Sequence, residues 1–324
     1  MKPFEVKNAV LRKDMILDMK RPKIMIIMII FNLILGCVLL PVLIAFPIVG
    51  LAAGEISYKV MVYFFIALVW IECIAIIFLA PALTAGCISI EKERQTLEVL
   101  LTTSMTPWQI VTGKYLSAIY LVIMLIISSI PTLFTVFIYG GISIWQMLQI
   151  LAILVTTTFF IASFGVFFSA MLKNTILSVI LTYITVGAVL SITFMLAFGG
   201  MGVTALVNEM ITDYMYDVYY IKVENVLCGD PFIFILWLNP LVTLFDGVGQ
   251  VFGYADAGNG IADLPIYTHF TDKNILLNMW TILSIVSQGL VTFLLLKASA
   301  FFLKPVKKQK KGKKAKKTQK AITA

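Results

Sequence analysis

The chain has 324 residues, of which 60% are hydrophobic and only 13% are charged. A water-soluble domain is typically about 45–50% apolar and about 25% charged, so much of this chain must face lipid, which excludes a soluble enzyme, a disordered protein and a secreted disulfide scaffold. The chain has a single histidine, His269, and four cysteines without a CxxC pair, so no metal site is predicted. The net charge of +8 comes from basic clusters beside apolar segments, which favours anionic membrane lipids over nucleic acid as partners.

The leader, residues 1–23, carries seven basic residues among apolar positions such as Val10 and Ile16. This mixture predicts an amphipathic helix that lies in the inner membrane interface. A solvated basic leader without such a helix is the alternative.

Six apolar segments are each long enough for a membrane-spanning helix, which needs about 20 mostly apolar residues. Pro41 and Pro131 lie inside two of them and are expected to interrupt the local hydrogen-bond ladder. The predicted fold class is therefore an all-α polytopic membrane protein, with a six-helix transmembrane domain over residues 24–303. The predicted spans are Ile24–Gly50, Val60–Ala85, Tyr115–Tyr139, Trp145–Leu172, Ile176–Phe198 and Ile275–Leu296.

The distribution of basic residues predicts the orientation of these spans. If the N-terminus is cytoplasmic, 22 of the 25 lysine and arginine residues lie inside, and only Lys59, Lys222 and Lys273 lie outside. The tail, residues 304–324, has ten lysines and few large apolar residues, so we expect it to be disordered and cytoplasmic. The chain is thus predicted to be a multi-pass protein of the cell membrane with both termini inside.

Glu72 lies near the middle of the second predicted span. An ionisable side chain at that depth is costly, so Glu72 is a functional candidate that could line a translocation path or carry a proton. The alternative is a protonated glutamate that bonds to a neighbouring serine, threonine or backbone carbonyl and fixes helix packing. No span offers an evident basic partner for a proton relay.

The connection between the second and third spans, residues 91–114, contains an amphipathic pattern. Leu97, Leu100 and Leu101 have i, i+3, i+4 spacing, which predicts one apolar stripe on a short cytoplasmic helix that includes the acidic residues from Glu91. Either the membrane surface and the bundle itself cover this stripe, or a cytoplasmic partner docks on it. The spacing alone does not separate these two interpretations.

The predicted amphipathic helix ends near Ser104, and a new helix begins directly after it. Thr106, Pro107 and Gln109 match a capping box with proline at the first helical position. This second helix is expected to run into the third span.

The outer segment, residues 201–274, collects nine acidic residues and contains an acidic and aromatic patch from Asp213 to Tyr220. The patch predicts either a cap or exit gate for a substrate, or a solvated loop with tyrosines at the membrane interface. Residues 231–252 are apolar but too few to cross twice, and a single crossing would place the basic tail outside. We therefore expect an outer re-entrant or interfacial hairpin, broken at Asn239-Pro240.

The sequence contains none of the common catalytic or nucleotide-binding motifs. Gly113-Lys114 is followed by Tyr115 and lacks the upstream glycine of a P-loop, and there is no GxSxG, HExxH or dinucleotide-binding pattern. The chain is therefore predicted not to be an enzyme, and an active pump would take ATP hydrolysis from another chain.

Several motifs resemble those of the membrane permease subunits of type-two ATP-binding-cassette (ABC) exporters. The resemblance covers roughly residues 1–303, and the run between residues 91 and 114 is its most specific part. The motifs are Pro81–Gly86, Glu91-Lys92-Glu93, Thr96-Leu97-Glu98, Leu100-Leu101, Pro107 and Gly113-Lys114, with Asn8–Asp14 and Lys20–Pro22 in the leader and Leu238–Leu241 in the outer hairpin.

The resemblance implies a complex of two permease copies, a homodimer or a related heterodimer, with two cytoplasmic ABC ATPase subunits that bind ATP and Mg. It implies no cofactor on this chain and a role in export of an unidentified substrate. It also implies a coupling helix in a groove of the ATPase, where acidic residues would pair with basic groups and leucines would fill the groove. The residues implied for this contact are Glu91, Glu93, Thr96, Leu97, Leu100 and Leu101, with Arg12 and Lys13 from the leader.

Two other functions stay open. Glu72 would suit an ion-coupled secondary transporter that uses a proton or sodium gradient without any ATPase. A membrane-embedded enzyme or an assembly factor is the other, although an enzyme would need convergent polar residues in the spans.

Overall fold

A computed structural model of the chain describes residues 22–53, 59–97, 106–140, 143–219, 231–251 and 280–303. All regular elements in these ranges are helices, as predicted. The predicted interfacial leader and basic tail lie outside the described residues and stay predictions.

The described residues form eight α-helices and one 3₁₀ helix, which precedes α7. In chain order the α-helices are α1 (Pro22–Ala53), α2 (Lys59–Thr84), α3 (Ser89–Glu93), α4 (Pro107–Gly140), α5 (Ile144–Met171), α6 (Thr175–Tyr219), α7 (Pro240–Val251) and α8 (Trp280–Phe302), and the 3₁₀ helix is Pro231–Leu238.

Five helical stretches in the described residues are long and apolar enough to cross a membrane, which confirms a polytopic membrane protein. The first predicted span lies within α1 but is not among these five stretches, so a sixth crossing remains a prediction. The five stretches are Phe64–Glu93, Pro107–Thr135, Ile144–Met171, Thr175–Ala197 and Trp280–Phe302.

Helix α5 is the centre of the bundle and packs against α2, α4, α6, α7 and α8. In its most apolar stretch 67% of the residues are buried within the chain, compared with 17% in α6. The crossing with α2 is very close at Gly165, because a Cβ atom there would lie 2.0 Å from Thr84 Oγ1. This glycine lets the two helices approach to backbone contact at the end where α2 leads into α3.

Helix α6 is longer than the sequence indicated. The helix includes the whole predicted span, which ends at Phe198, and it continues to Tyr219. The first part of the outer segment is therefore helical and extends the span. The side chains from Asp213 to Tyr220 lie outside the described part of the chain, so the cap and loop interpretations of that patch remain untested.

The break at Asn239-Pro240 is confirmed. Asn239 follows the 3₁₀ helix, and its Oδ1 accepts a hydrogen bond from the Leu241 N–H at 3.0 Å, which caps the start of α7 with proline at the first helical position. Asn239 Nδ2 also donates to Thr193 Oγ1 at 2.8 Å and so ties the break to α6. The depth of this hairpin in a membrane stays a prediction.

The predicted capping box before the third span is also confirmed. The Thr106 N–H donates to Gln109 Oε1 at 2.9 Å, and the Gln109 N–H donates to Thr106 Oγ1 at 3.3 Å. Helix α4 accordingly begins at Pro107 and continues through the third span to Gly140.

Candidate functional site

The predicted amphipathic helix from Glu91 to Ser104 is interrupted, so that part of the prediction is wrong. Helix α3 ends at Glu93, and Gln95 adopts a left-handed conformation with φ of 57°. The Thr96 N–H donates to the Glu91 carbonyl at 2.9 Å and the Gln95 N–H to the Lys92 carbonyl at 3.2 Å. This pair of bonds closes a helix C-terminus in a geometry that usually has glycine at the left-handed position. Because Gln95 stands there instead of glycine, no residue pattern indicates the break.

The acidic end of α3 is bound to α4. Glu91 Oε1 lies 2.7 Å from Lys114 Nζ, and the two side chains are only 22% and 13% exposed. Because the pair is partly shielded from water, it is expected to contribute more than an exposed surface ion pair. It fixes the orientation of α3 relative to the start of α4.

Lys92 is bound to the end of α5. Its Nζ donates to the carbonyl of Ala170 and, at 3.3 Å, to the carbonyl of Leu172. These are carbonyl groups that the end of a helix leaves without intrahelical partners. A cation at this position also faces the negative end of the helix dipole.

Glu93 is bound to the start of α6. Its Oε1 accepts a hydrogen bond from the Thr175 N–H at 2.7 Å, where an anion faces the positive end of the helix dipole. Asn174 Oδ1 accepts from the N–H groups of Ile176 and Leu177, and the Asn174 carbonyl accepts from the Ser178 N–H. All four N–H groups of the first turn of α6 therefore have acceptors.

Two serines form hydrogen bonds with the turn between α2 and α3. Ser169 Oγ, on α5, accepts hydrogen bonds from the N–H groups of Ile88 and Ser89, each at 2.8 Å. Ser178 Oγ, on α6, donates to the Ala85 carbonyl at 2.7 Å. Since both serines are fully buried, these bonds are shielded from competition by water.

These contacts join four helices at one end of the bundle. We call Glu91, Lys92 and Glu93, together with Lys114 and the turn 172–174, the charged junction. Chemically it offers hydrogen bonds and ion pairs but no catalytic arrangement, and no group of three His, Cys, Asp or Glu residues in the described ranges could hold a metal ion. Its geometry suits transmission of force between a segment that follows α3 and the helices α4, α5 and α6.

The structure locates only some of the residues implied for ATPase contact. Glu91 and Glu93 have the partners within the chain just described, and Thr96 is exposed. Leu97 is half-buried and packs against a buried cluster that includes Ile88 and Ile110, which supports cover by the bundle itself at this position. The other residues implied for this contact lie outside the described residues; they are Leu100, Leu101, Arg12 and Lys13.

Glu72 is buried in the bundle and bonded to α4. Its Oε1 lies 2.6 Å from Ser129 Oγ, which is also 2.8 Å from the Ile126 carbonyl. A serine hydroxyl has one proton, and a carbonyl oxygen only accepts, so both contacts are fully satisfied when a neutral Glu72 donates to Ser129 and Ser129 donates to Ile126. This geometry supports the packing interpretation of Glu72.

We expect Glu72→Gln to keep the free energy of unfolding within about 1 kcal/mol of the unchanged chain, because the amide N–H replaces the acid O–H toward Ser129. The midpoint of thermal unfolding in detergent checks this. Glu72→Leu is the comparison variant and should unfold at a lower temperature, since Ser129 loses its hydrogen bond to residue 72 and keeps only the one to the Ile126 carbonyl. A Gln variant that folds normally but has lost transport would contradict a purely structural role.

Sequence reasoning did not assign the contacts of the charged junction to the junction residues Lys92, Lys114 and Asn174, or to Ser169 beside the junction. The alternating charges of Glu91-Lys92-Glu93 were a signal, because successive opposite charges on a short helix suit different partners. The partners of Lys92 and Glu93 lie about 80 residues away in the chain, so no local pattern identifies them.

The comparisons with known proteins agree with this architecture. The model of a family described as ABC-2 family transporter protein matches residues 55–297, three quarters of the chain, and the match includes the whole charged junction. No curated protein matches the chain.

Proposed function

The chain belongs to the ABC-2 family of transporter proteins, and we propose that it is the permease subunit of an exporter driven by a separate ABC ATPase. The observation that carries this proposal is the charged junction. The segment that follows α3 is fixed at its base to α4, α5 and α6, so a force applied to it would reach three helices. A secondary transporter based on Glu72 is not proposed, because that carboxyl bonds to Ser129 inside the bundle.

The proposed assembly has two permease copies in the cell membrane and two ATPase subunits in the cytoplasm, where ATP and Mg bind. The excess of lysine and arginine on one side supports cytoplasmic termini and a cytoplasmic charged junction. The substrate is exported when the ATPase pair closes on ATP and the permease spans change their packing. ATP binding to the ATPase can drive this change only if the ATPase contacts the two packing states of the permease differently.

We call residues 96–105 the docking segment and propose that it binds a groove of the ATPase. Thr96 is exposed at its start, while Leu97 is half-buried where the segment leaves the bundle. Leu100 and Leu101 follow on the predicted apolar stripe and are the side chains that we assign to the groove. Arg12 and Lys13 of the leader are assigned to an adjacent contact with the ATPase.

We expect Leu101→Asp to reduce the ATPase that co-purifies with the chain at least tenfold. Burial of a leucine side chain contributes about 1.5–3 kcal/mol, and a carboxylate there would lose its water without gaining a partner. The measurement uses both proteins, the ATPase being the one encoded beside the gene for this chain, with the complex isolated in detergent.

Ile176→Asp is the matched control. Ile176 is a large exposed apolar residue at the junction end, and an acid suits the first turn of α6. This variant should retain the ATPase fully. Equal retention of the ATPase by the Leu101→Asp variant would contradict the assignment of the docking segment.

A further inference from the structure

Lys92 and Glu93 bind the two ends of one turn with matched charges. The cation lies against carbonyl groups at the end of α5, and the anion lies against the first N–H of α6, so each charge faces the helix end that attracts it. Only residues 172–174 separate α5 from α6. Two adjacent side chains of α3 therefore hold both sides of the turn that connects two long helices.

The link from this pair to the docking segment is short and closed by hydrogen bonds. After Glu93 come only Arg94 and Gln95, and the bond from the Thr96 N–H to the Glu91 carbonyl spans the whole link. A hydrogen-bonded turn of this kind passes on displacement better than an open loop, because its backbone has few other arrangements. The turn 172–174 is thus mechanically joined to the start of the docking segment.

We propose that Lys92 and Glu93 are positioning residues that make the turn 172–174 move with the docking segment, so that the ends of α5 and α6 respond when the ATPase binds ATP. The proposal rests on the proposed function, since it needs an ATPase on the docking segment. It assigns to these two residues the transmission of movement from the docking segment to α5 and α6, whereas the family resemblance implied that Glu93 contacts the ATPase.

The test exchanges charges in the complex of the chain with its ATPase. Lys92→Glu with Glu93→Lys keeps the net charge but places each charge at the helix end that repels it. Arg94→Gln changes an exposed charge beside this pair and keeps the backbone bonds of the link, so it is the control. Hydrogen–deuterium exchange follows the docking segment and residues 172–178, with and without a non-hydrolysable ATP analogue.

In the unchanged complex we expect the analogue to alter exchange in both segments. In the variant with Lys92 and Glu93 exchanged, the hydrogen exchange of the docking segment should still respond to the analogue. The response of residues 172–178 should fall at least threefold. The Thr175 amide should exchange its hydrogen roughly tenfold faster. The Arg94→Gln variant should behave like the unchanged complex. Lys92→Met with Glu93→Met removes both charges and both hydrogen-bonding groups with little change of volume, and it should show the same loss if the charge-exchange variant does not fold.

The outcomes separate the two proposals. If residues 172–178 respond normally in both Lys92/Glu93 variants, the transmission role is overturned while the docking assignment stands. If the docking segment of the unchanged chain shows no response to the analogue, the proposed function itself is overturned.

Discussion

Replacing Gly165 with alanine should lower the free energy of unfolding by about 3 kcal/mol, because the new methyl group has no space where α5 crosses α2. A Cβ there would lie 2.0 Å from Thr84 Oγ1, 2.8 Å from Thr84 Cβ and 3.1 Å from the Ala85 backbone nitrogen. Thr84 cannot simply turn away, since its hydroxyl donates to the Ala80 carbonyl at 2.7 Å. The two helices would have to separate beside the charged junction.

Gly187→Ala is the control for this prediction. Gly187 lies in α6, and a Cβ there would meet nothing within 4 Å. The same substitution should therefore leave stability unchanged or raise it by up to about 1 kcal/mol through helix propensity. In a chain whose other cysteines are replaced, a thiol-reactive dye that reports exposure of the buried Cys73 during heating gives both unfolding midpoints. Equal midpoints for the two variants would show that the close crossing is not formed.

Replacing Ser169 with alanine should cost about 2–4 kcal/mol and disorganise the turn before α3. The hydroxyl is the acceptor for the N–H groups of Ile88 and Ser89, and each buried donor left without an acceptor costs about 1–3 kcal/mol. We expect a lower unfolding midpoint and faster amide exchange at residues 88–93. Co-purification of the ATPase should also fall, because the docking segment loses its support.

The chain provides a close control in Ser163→Ala. Ser163 is one helical turn and a half from Ser169 on α5, is equally buried, and donates only to the Phe160 carbonyl of its own helix at 2.6 Å. Its loss leaves no donor unsatisfied and should cost less than about 1 kcal/mol. If the two serine variants unfold at the same temperature, the Ser169 bonds do not stabilise the turn.

The sequence predicted the parts of this fold that depend on local patterns. Apolar segments of sufficient length located five described spans, and the Thr106-Pro107 and Asn239-Pro240 signals located two helix starts correctly. These predictions are correct because the groups that cap a helix end lie within a few residues of each other in the sequence. The continuation of α6 to Tyr219 was not predicted. The span was assigned from its apolar length, and a helix can continue beyond the span that it forms.

The charged junction could not be predicted in the same way. Its acidic residues were evident in the sequence. Whether they bind a partner protein or other helices of the chain depends on which helices pack together. Lys114 was recognised as part of the family motif but not as the partner of Glu91, and Ser169 and Asn174 carry no signal of their own. The left-handed Gln95 is a further case, because a non-glycine residue in that conformation is set by its surroundings.

The central claim is that a separate ATPase powers this chain, and reconstitution in liposomes tests it most directly. The rate of ATP hydrolysis is measured with the purified chain alone, with the ABC ATPase alone and with both together. We expect no hydrolysis by the chain alone, and an ATPase that is retained on liposomes containing the chain and changes its rate severalfold there. An ATPase that neither binds these liposomes nor changes its rate would contradict the claim.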